Sequence, residues 1–322
     1  MHYDIIGDIH GHADKLEALL VRMGYREREH AWRHPDRTAI FVGDFIDRGP
    51  HQLRTLEIVQ AMVEAGAALA VMSNHELNAI AWHTPHPERP GEFLRPHVHP
   101  TMGDKNHKQH ARFLEEIQDD PARHKAIIDW FMTLPLWLDL PGIRIVHACW
   151  HQPYMDWLRP LLTDQHQLRP GLLHAATEAP ASEDLRDYGL PTVFSAVEAI
   201  VKGLEIPLPA GCTFYDKDGT QRNRVRVRWW DATARNYPQA ALLNDATLKT
   251  LPDEPIPETA RIESTDDRPV FFGHYWMRGA PDVQTPSAAC VDYSAGRGGD
   301  LMAYRWSGER ALDRRNFVSV PE

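Results

Sequence analysis

Five short fragments hold the residues best suited to chemistry: GDIHGH (7–12), GDFIDRG (43–49), SNHE (73–76), VHACWH (146–151) and FGHYW (272–276). Between them they offer Asp8, His10, Asp44, Asn74, His147 and His274 as oxygen and nitrogen donors. Hard carboxylate oxygens mixed with borderline imidazole nitrogens suit manganese, iron or zinc better than calcium. Two divalent ions ~3.5–4 Å apart, sharing one carboxylate, would use such a set economically. Asp44 ends the middle strand of the first three and is the expected bridge. Asp8 and His10 are assigned to one ion, and Asn74, His147 and His274 to the other.

The elements that must position these groups are legible around them. Tyr3 to Ile6 is a short apolar run that reads as a buried strand. DKLEALLVRMGY follows with Leu16, Leu19, Leu20 and Met23 at helical spacing and Gly24 as a stop. TAIFVGD, LRTLEIVQAMVEAG and ALAVMSNHE continue the alternation, so the stretch reads β-α-β-α-β. That order implies parallel strands with right-handed crossovers. Asp8, Asp44, Asn74 and His75 all fall just past the carboxyl ends of these strands, where open α/β sheets bind ligands.

Farther along, 83–110 is rich in Pro and His without a clean period and reads as a long loop insertion. ARFLEEIQ and HKAIIDWFMTLP read as helices, and LWLDL and IRIVHA as strands. The stretch from about 150 to 223 is assigned as a cap-like insertion, helical in SEDLRDYGL and VFSAVEAIVKGL. RVRVRWWD, PVFFGHYW, AACVDY and LMAYRW read as closing strands. The expected architecture is one α/β domain over 1–322, with mixed sheets packed as a sandwich, flanked by helices and carrying the cap.

Composition narrows the function classes. The 322 residues are 43% hydrophobic, enough for a sizeable core. A formal net charge of −10 disfavours, without excluding, a nucleic-acid partner. The three cysteines, Cys149, Cys212 and Cys290, form no CxxC pair and suggest neither a disulfide framework nor a zinc site. No apolar run approaches the ~20 residues of a membrane span, and the chain opens directly on YDII without a leader pattern. A cytoplasmic protein with no membrane partner is the expectation.

The ordered fragments resemble those of the metallophosphoesterase superfamily, in the branch of PPP-type phosphatases that includes serine/threonine phosphatases and diadenosine tetraphosphate hydrolases. The resemblance implies a βαβαβ metallophosphoesterase core and two divalent ions held by Asp8, His10, Asp44, Asn74, His147 and His274, manganese first, with iron or zinc as alternatives. It implies His75 as general acid, Asp47 as its carboxylate partner and Arg48 as a phosphate-binding arginine. A second such arginine is expected, and Arg228 in RVRVRWWD is the choice. The sequence departs from the pattern at Ser73, where glycine is usual, and at Cys149, expected to alter the rim beside His147. It also lacks a second histidine after His274, which implies a metal with fewer protein ligands.

The implied activity is hydrolysis of phosphomonoesters or nucleotide-type phosphoanhydrides by metal-activated water. The substrate would be a phosphorylated small molecule, nucleotide or phosphoprotein. The alternatives are a symmetrical dinucleoside polyphosphate hydrolase, an RNA-end or cyclic-nucleotide phosphodiesterase and, remotely, a non-catalytic metal-binding scaffold. Simpler readings stand beside these. Asp8 or Asn74 could cap a helix. His83, His86, His97, His99, His107 and His110 match no metal-ligand spacing and are read as structural, with the substrate entrance as the alternative place for some. Trp229 and Trp230 are read as packing rather than a base platform.

Overall fold

Alternate residues of the first strands point to opposite faces, and both faces are apolar. In strands Tyr3–Ile6 and Thr38–Phe41, Ile5 and Ile40 enter one buried cluster, while Ile6, Ala39 and Phe41 enter another. Strands buried on both sides require layers above and below them. The computed structural model, which describes residues 1–99, 102–180, 191–215, 219–262 and 268–320, supplies both layers.

The first sheet is five-stranded, in the order Phe317–Val320, Leu301–Trp306, Tyr3–Ile6, Thr38–Phe41, Ala68–Ala70. Its last three strands are parallel, as the crossover pattern predicts, and Leu301–Trp306 closes antiparallel on Tyr3–Ile6 with Ile5 opposite Tyr304. The second sheet is four-stranded, in the order Ala288–Cys290, Val270–Phe272, Ile143–Val146, Trp137–Leu140. Ile5, Ile40 and Tyr304 of the first sheet share one buried cluster with Ile143, Ile145, Phe271 and Ala289 of the second. This is the centre of a sandwich of two mixed sheets. Helices Ala13–Met23 and Gln52–Glu64 bury Leu16, Leu20, Leu56 and Val59. The first of them stops at Gly24, whose φ of 98° is the left-handed cap that glycine accepts without strain.

Several expectations needed revision. The 83–110 stretch is not all loop: His83 ends helix Asn74–His83, and a helix runs Gly103–Ile117. Its buried face is Asn106, His110, Phe113 and Ile117, at helical spacing but with polar residues in apolar positions, so a hydrophobicity count passes over it. RVRVRWWD keeps only Arg224–Arg226 as strand, paired with Glu205–Pro207. The chain then turns, with Asp231 N–H donating to the Arg228 carbonyl, because Trp229 is drawn inward and donates to the Ala148 carbonyl at 2.9 Å. The strand Phe317–Val320 and the hairpin Arg26–Arg28/Ala31–Arg33 had no sequence signal strong enough to predict them. Within the 150–223 stretch, helix Val193–Lys202 is tied directly to the His147 strand, its Ile200 carbonyl accepting from Ala148 N–H at 2.9 Å. SEDLRDYGL lies outside the described residues.

Candidate metal centre

The loops that follow the first two strands are bonded to each other before any side chain is considered. Ile9 and His10 N–H donate to the Asp44 carbonyl at 3.1 and 2.7 Å, and Gly11 N–H donates to the Phe45 carbonyl at 2.7 Å. His10, Asp44, Asp47, Arg48 and His274 all have left-handed backbones, with φ of 50°, 53°, 69°, 74° and 73°. Such conformations are costly for residues other than glycine and persist only where the surroundings impose them. Glu76 is one such constraint. Fully buried, its carboxylate accepts from Asp44 N–H at 3.0 Å, Phe45 N–H at 2.9 Å and Ser73 N–H at 3.2 Å. Burial, then the field of Asp44, pushes its pKa up.

Asp44 is the meeting point of two clusters. His10, Asp44 and His75 present ligand atoms within 4.8 Å of one another, and so do Asp44, His147 and His274. His10 Nε2 lies 3.3 Å from Asp44 Oδ2, and His147 Nε2 lies 3.5 Å from Asp44 Oδ1. Asn74 joins the second cluster, its Oδ1 3.2 Å from His147 Nε2 and 3.0 Å from His274 Nδ1. It is free to do so because Ser73, not Asn74, caps the helix, in a capping box with Glu76. Asp8 is the one predicted ligand outside both clusters. Its Oδ2 accepts from His274 N–H at 2.9 Å, and its side chain neighbours Asp44.

The donor set fits divalent cations. Asp8 Oδ1, His10 Nε2, Asp44 Oδ1 and His274 Nε2 are buried without a hydrogen-bond partner. His10 Nδ1 bonds the Ile46 carbonyl at 3.0 Å and His147 Nδ1 bonds that of Val42 at 2.7 Å. Each places its N–H there and turns a bare Nε2 lone pair toward Asp44. Burial depresses His10 to about 3 and lowers His147 and His274, so these imidazoles are neutral donors. Burial and then the fields of Asp292 and Asp44 push Asp8 well up. A group of buried carboxylates that repel one another is what a bound cation relieves. Glycines give the carboxylates room: a Cβ on Gly273 would sit 2.0 Å from Asp8 Oδ1, and one on Gly7 2.0 Å from the Val291 carbonyl oxygen. Gly7 thus serves the close approach of the Val291 backbone.

Beside the clusters is a proton-handling pair. His75 Nδ1 bonds Asp47 Oδ2 at 2.6 Å. Burial alone would lower the His75 pKa, but Asp44 and Asp47 outweigh it and the pKa is raised. Asp47 is held low against burial by its bonds from His110 and His75.

The calcineurin-like phosphoesterase family model matches residues 1–194, more than half of the chain. The chain belongs to that family. A bis(5′-nucleosyl)-tetraphosphatase PrpE [asymmetrical] of Geobacillus sp. is 45% identical over 149 residues, 46% of this chain and 56% of that protein. The protein of the same name from Halalkalibacterium halodurans is 45% identical over 76 residues, 23% of this chain and 31% of its own length. The chain therefore spans little more than half, or less, of the curated relatives it matches. A solved cold-active protein-tyrosine phosphatase of a psychrophilic Shewanella is 16% identical with a TM-score of 0.48, covering 99% of this chain and 80% of that one.

The departures from the family's motifs prove local. Ser73 takes an extended backbone, φ −107°, which needs no glycine, and its Oγ accepts from His75 N–H at 2.9 Å. Cys149 is fully buried and its thiol pKa is pushed up by that burial, so it belongs to the core and not to a rim. Arg228 is engaged elsewhere, donating its guanidinium to the Gln239 carbonyl. Two other arginines stand nearer. Arg297 lies 4.1 Å over the Trp276 ring that Arg48 also covers at 4.5 Å, and the field of Arg226 reaches His274. Trp229 packs against Phe272 with ring centroids 5.0 Å apart, as a core residue should.

Sequence reasoning overlooked four residues. His110 bonds Asp47 Oδ1 at 3.0 Å from the helix mistaken for loop. Asp292 accepts from Trp276 N–H at 2.6 Å and Ser294 N–H at 2.8 Å, and burial raises its pKa. It ends an apolar strand run just as Asp8 and Asp44 do, and that signal was present in AACVDY. Glu76 could have been read from the Ser-x-x-Glu capping signature. Arg297 had no signal. Two of the other loop histidines make local contacts: His97 stacks between Trp82 and Phe93 at 3.8 and 4.0 Å, and His86 Nδ1 accepts from Glu88 and Arg89 N–H while its Nε2 joins His174 and Glu178 in a third group of possible ligand atoms.

Proposed function

We propose that the protein is a dinuclear metal-dependent phosphatase acting on phosphomonoesters or nucleotide-type phosphoanhydrides. The observation that carries this is the Asp44 carboxylate set between His10 on one side and His147 and His274 on the other, three imidazoles kept neutral by burial. Two divalent ions, manganese first, would be held by His10, Asp44 and Asp8 on one side and by Asp44, Asn74, His147 and His274 on the other. When bound, such ions supply Lewis-acid charge and lower the pKa of water toward neutrality.

The chain's own residues do the rest. Arg48, set over Trp276 within the fields of Asp44 and Asp47, binds the phosphoryl oxygens. His75 donates a proton to the leaving oxygen. Asp47 holds that imidazole protonated and oriented, and His110 holds Asp47 from its other oxygen. Arg297 is a better second phosphate-binding arginine than Arg228 on position alone. The names of the PrpE relatives favour a nucleotide phosphoanhydride over a phosphoprotein, and an asymmetrical over a symmetrical cleavage. Among the described residues no helix is long and apolar enough to cross a membrane; with three free thiols, we place the protein in the cytoplasm.

The test compares leaving groups. With manganese, His75→Asn should lower kcat on an alkyl phosphate by ~10²–10⁴-fold. It should cost far less on p-nitrophenyl phosphate, whose leaving group needs no proton. Wild-type turnover of the alkyl ester by the variant would remove His75 from the mechanism.

A further inference from the structure

A cavity of about 620 Å³ opens beside Arg48, and its charged lining is Arg48, Lys105, Lys108 and Arg112 with the single acid Asp104. Gly296 forms part of the same wall, and a Cβ there would lie 2.6 Å from His10 Cδ2 and 2.8 Å from Arg48 Cδ. The cavity therefore adjoins the metal-ligand cluster directly. In a chain of net charge −10, this concentration of cations runs against the general field.

The geometry points to this cavity as a subsite for an oligophosphate chain, taking the phosphates that follow the one being hydrolysed. The inference rests on the phosphatase reading and adds the substrate class: a phosphorus within an oligophosphate chain rather than an isolated monoester. Three observations support it. First, Lys105, Lys108 and Arg112 share one exposed face of helix Gly103–Ile117, while Asn106, His110, Phe113 and Ile117 form its buried face. Second, the helix is fixed to the catalytic loops. His110 bonds Asp47, and Glu116 accepts from Gln52 and Leu53 N–H at 2.8 and 3.0 Å. The cations are thus held in place before a ligand arrives, which lowers the cost of binding. Third, among the described residues neither Lys105 nor Lys108 is paired with a carboxylate, and Arg112 has only the exposed Glu115 at 3.2 Å.

Charge density selects the ligand. Lys105 and Arg112 are ~10 Å apart along the helix axis. An extended acidic peptide presents a same-side carboxylate every ~7 Å and would offer about two over that span. An oligophosphate carries charge on every phosphorus. Nor is the adjoining aromatic ring a free platform for a base, since Arg48 and Arg297 both lie over Trp276.

Titration calorimetry of the metal-free protein with tripolyphosphate, beside inhibition of p-nitrophenyl phosphate hydrolysis at buffered free manganese, tests this. The double variant Lys105→Gln/Lys108→Gln should weaken tripolyphosphate binding and inhibition ~10-fold. Its KM for p-nitrophenyl phosphate and its inhibition by orthophosphate should stay within about twofold, because neither extends past Arg48. Lys249→Gln, an exposed lysine elsewhere, should change nothing. Unchanged tripolyphosphate binding in the double variant overturns the subsite. So does an equal loss for orthophosphate, or a selective rise in KM for an acidic phosphopeptide. If the wild type binds tripolyphosphate but hydrolyses nothing, the subsite stands and the phosphatase reading falls.

Discussion

On one flank of Asp44, His10, Asp47 and His75 come from the first quarter of the chain, and their loops bond to one another through the backbone. On the other flank, His147 and His274 lie just past the ends of two neighbouring strands of the second sheet. Their positions depend on the sandwich and on Asn74, which reaches across to both. The first flank is assembled by turns bonded to one another, with left-handed backbones at His10, Asp44, Asp47 and Arg48, a conformation that His274 shares on the second. The second is assembled by packing. The first should therefore be sensitive to the groups that hold its backbone, and the second to changes in volume and buried contacts.

The largest effect should come from the one residue common to both. Asp44→Asn should reduce metal content from about two ions per chain to below one and lower kcat by ~10³-fold or more. Retention of both ions, measured by elemental analysis, would show that the flanks do not share this carboxylate. Next is Gly273→Ala, which places a Cβ against Asp8 Oδ1 and 2.9 Å from Val42 Cγ2. Overpacking of this kind costs ~1–3 kcal/mol. It should also loosen metal binding by shifting the adjoining His274, whose N–H donates to Asp8 Oδ2, seen as a higher metal requirement for activity.

Glu76→Gln tests the opposite flank. The amide has one acceptor oxygen where the carboxylate receives the N–H groups of Asp44 and Phe45 on separate oxygens. A loss of ~1–3 kcal/mol in denaturant unfolding is expected, with activity falling further than stability. Unchanged stability would mean that the Asp44 turn does not need this support. The smallest effect is reserved for Trp229→Phe. It removes the indole bond to the Ala148 carbonyl beside His147 while keeping an aromatic ring against Phe272. About 1 kcal/mol of stability should be lost, with activity within about twofold. A collapse of activity would instead place Trp229 in contact with substrate.

The strand-end residues were the legible part of the site, and particular residues show why. Asp8, Asp44 and Asn74 follow apolar runs of strand length, and alternation with amphipathic helices places such run ends on one sheet edge. Local signals carry that information. His110 was missed because its helix buries an asparagine and a histidine where a hydrophobic pattern demands aliphatics. The second phosphate-binding arginine was assigned to Arg228 because alternation in RVRVR treats its arginines alike. The turn made by Trp229 then directed Arg228 to Gln239.

The sequence by itself determined the chemistry available, the strand ends that carry it and the family to which it belongs, because these depend on residue type and on periodicities a few residues long. Only the tertiary structure decided which imidazoles share Asp44, that Asp292 and Glu76 join the buried carboxylates, and that a basic helix face adjoins Arg48. Those relations link residues tens to hundreds of positions apart, and their distances are set by how two sheets and their helices pack, which no local spacing encodes.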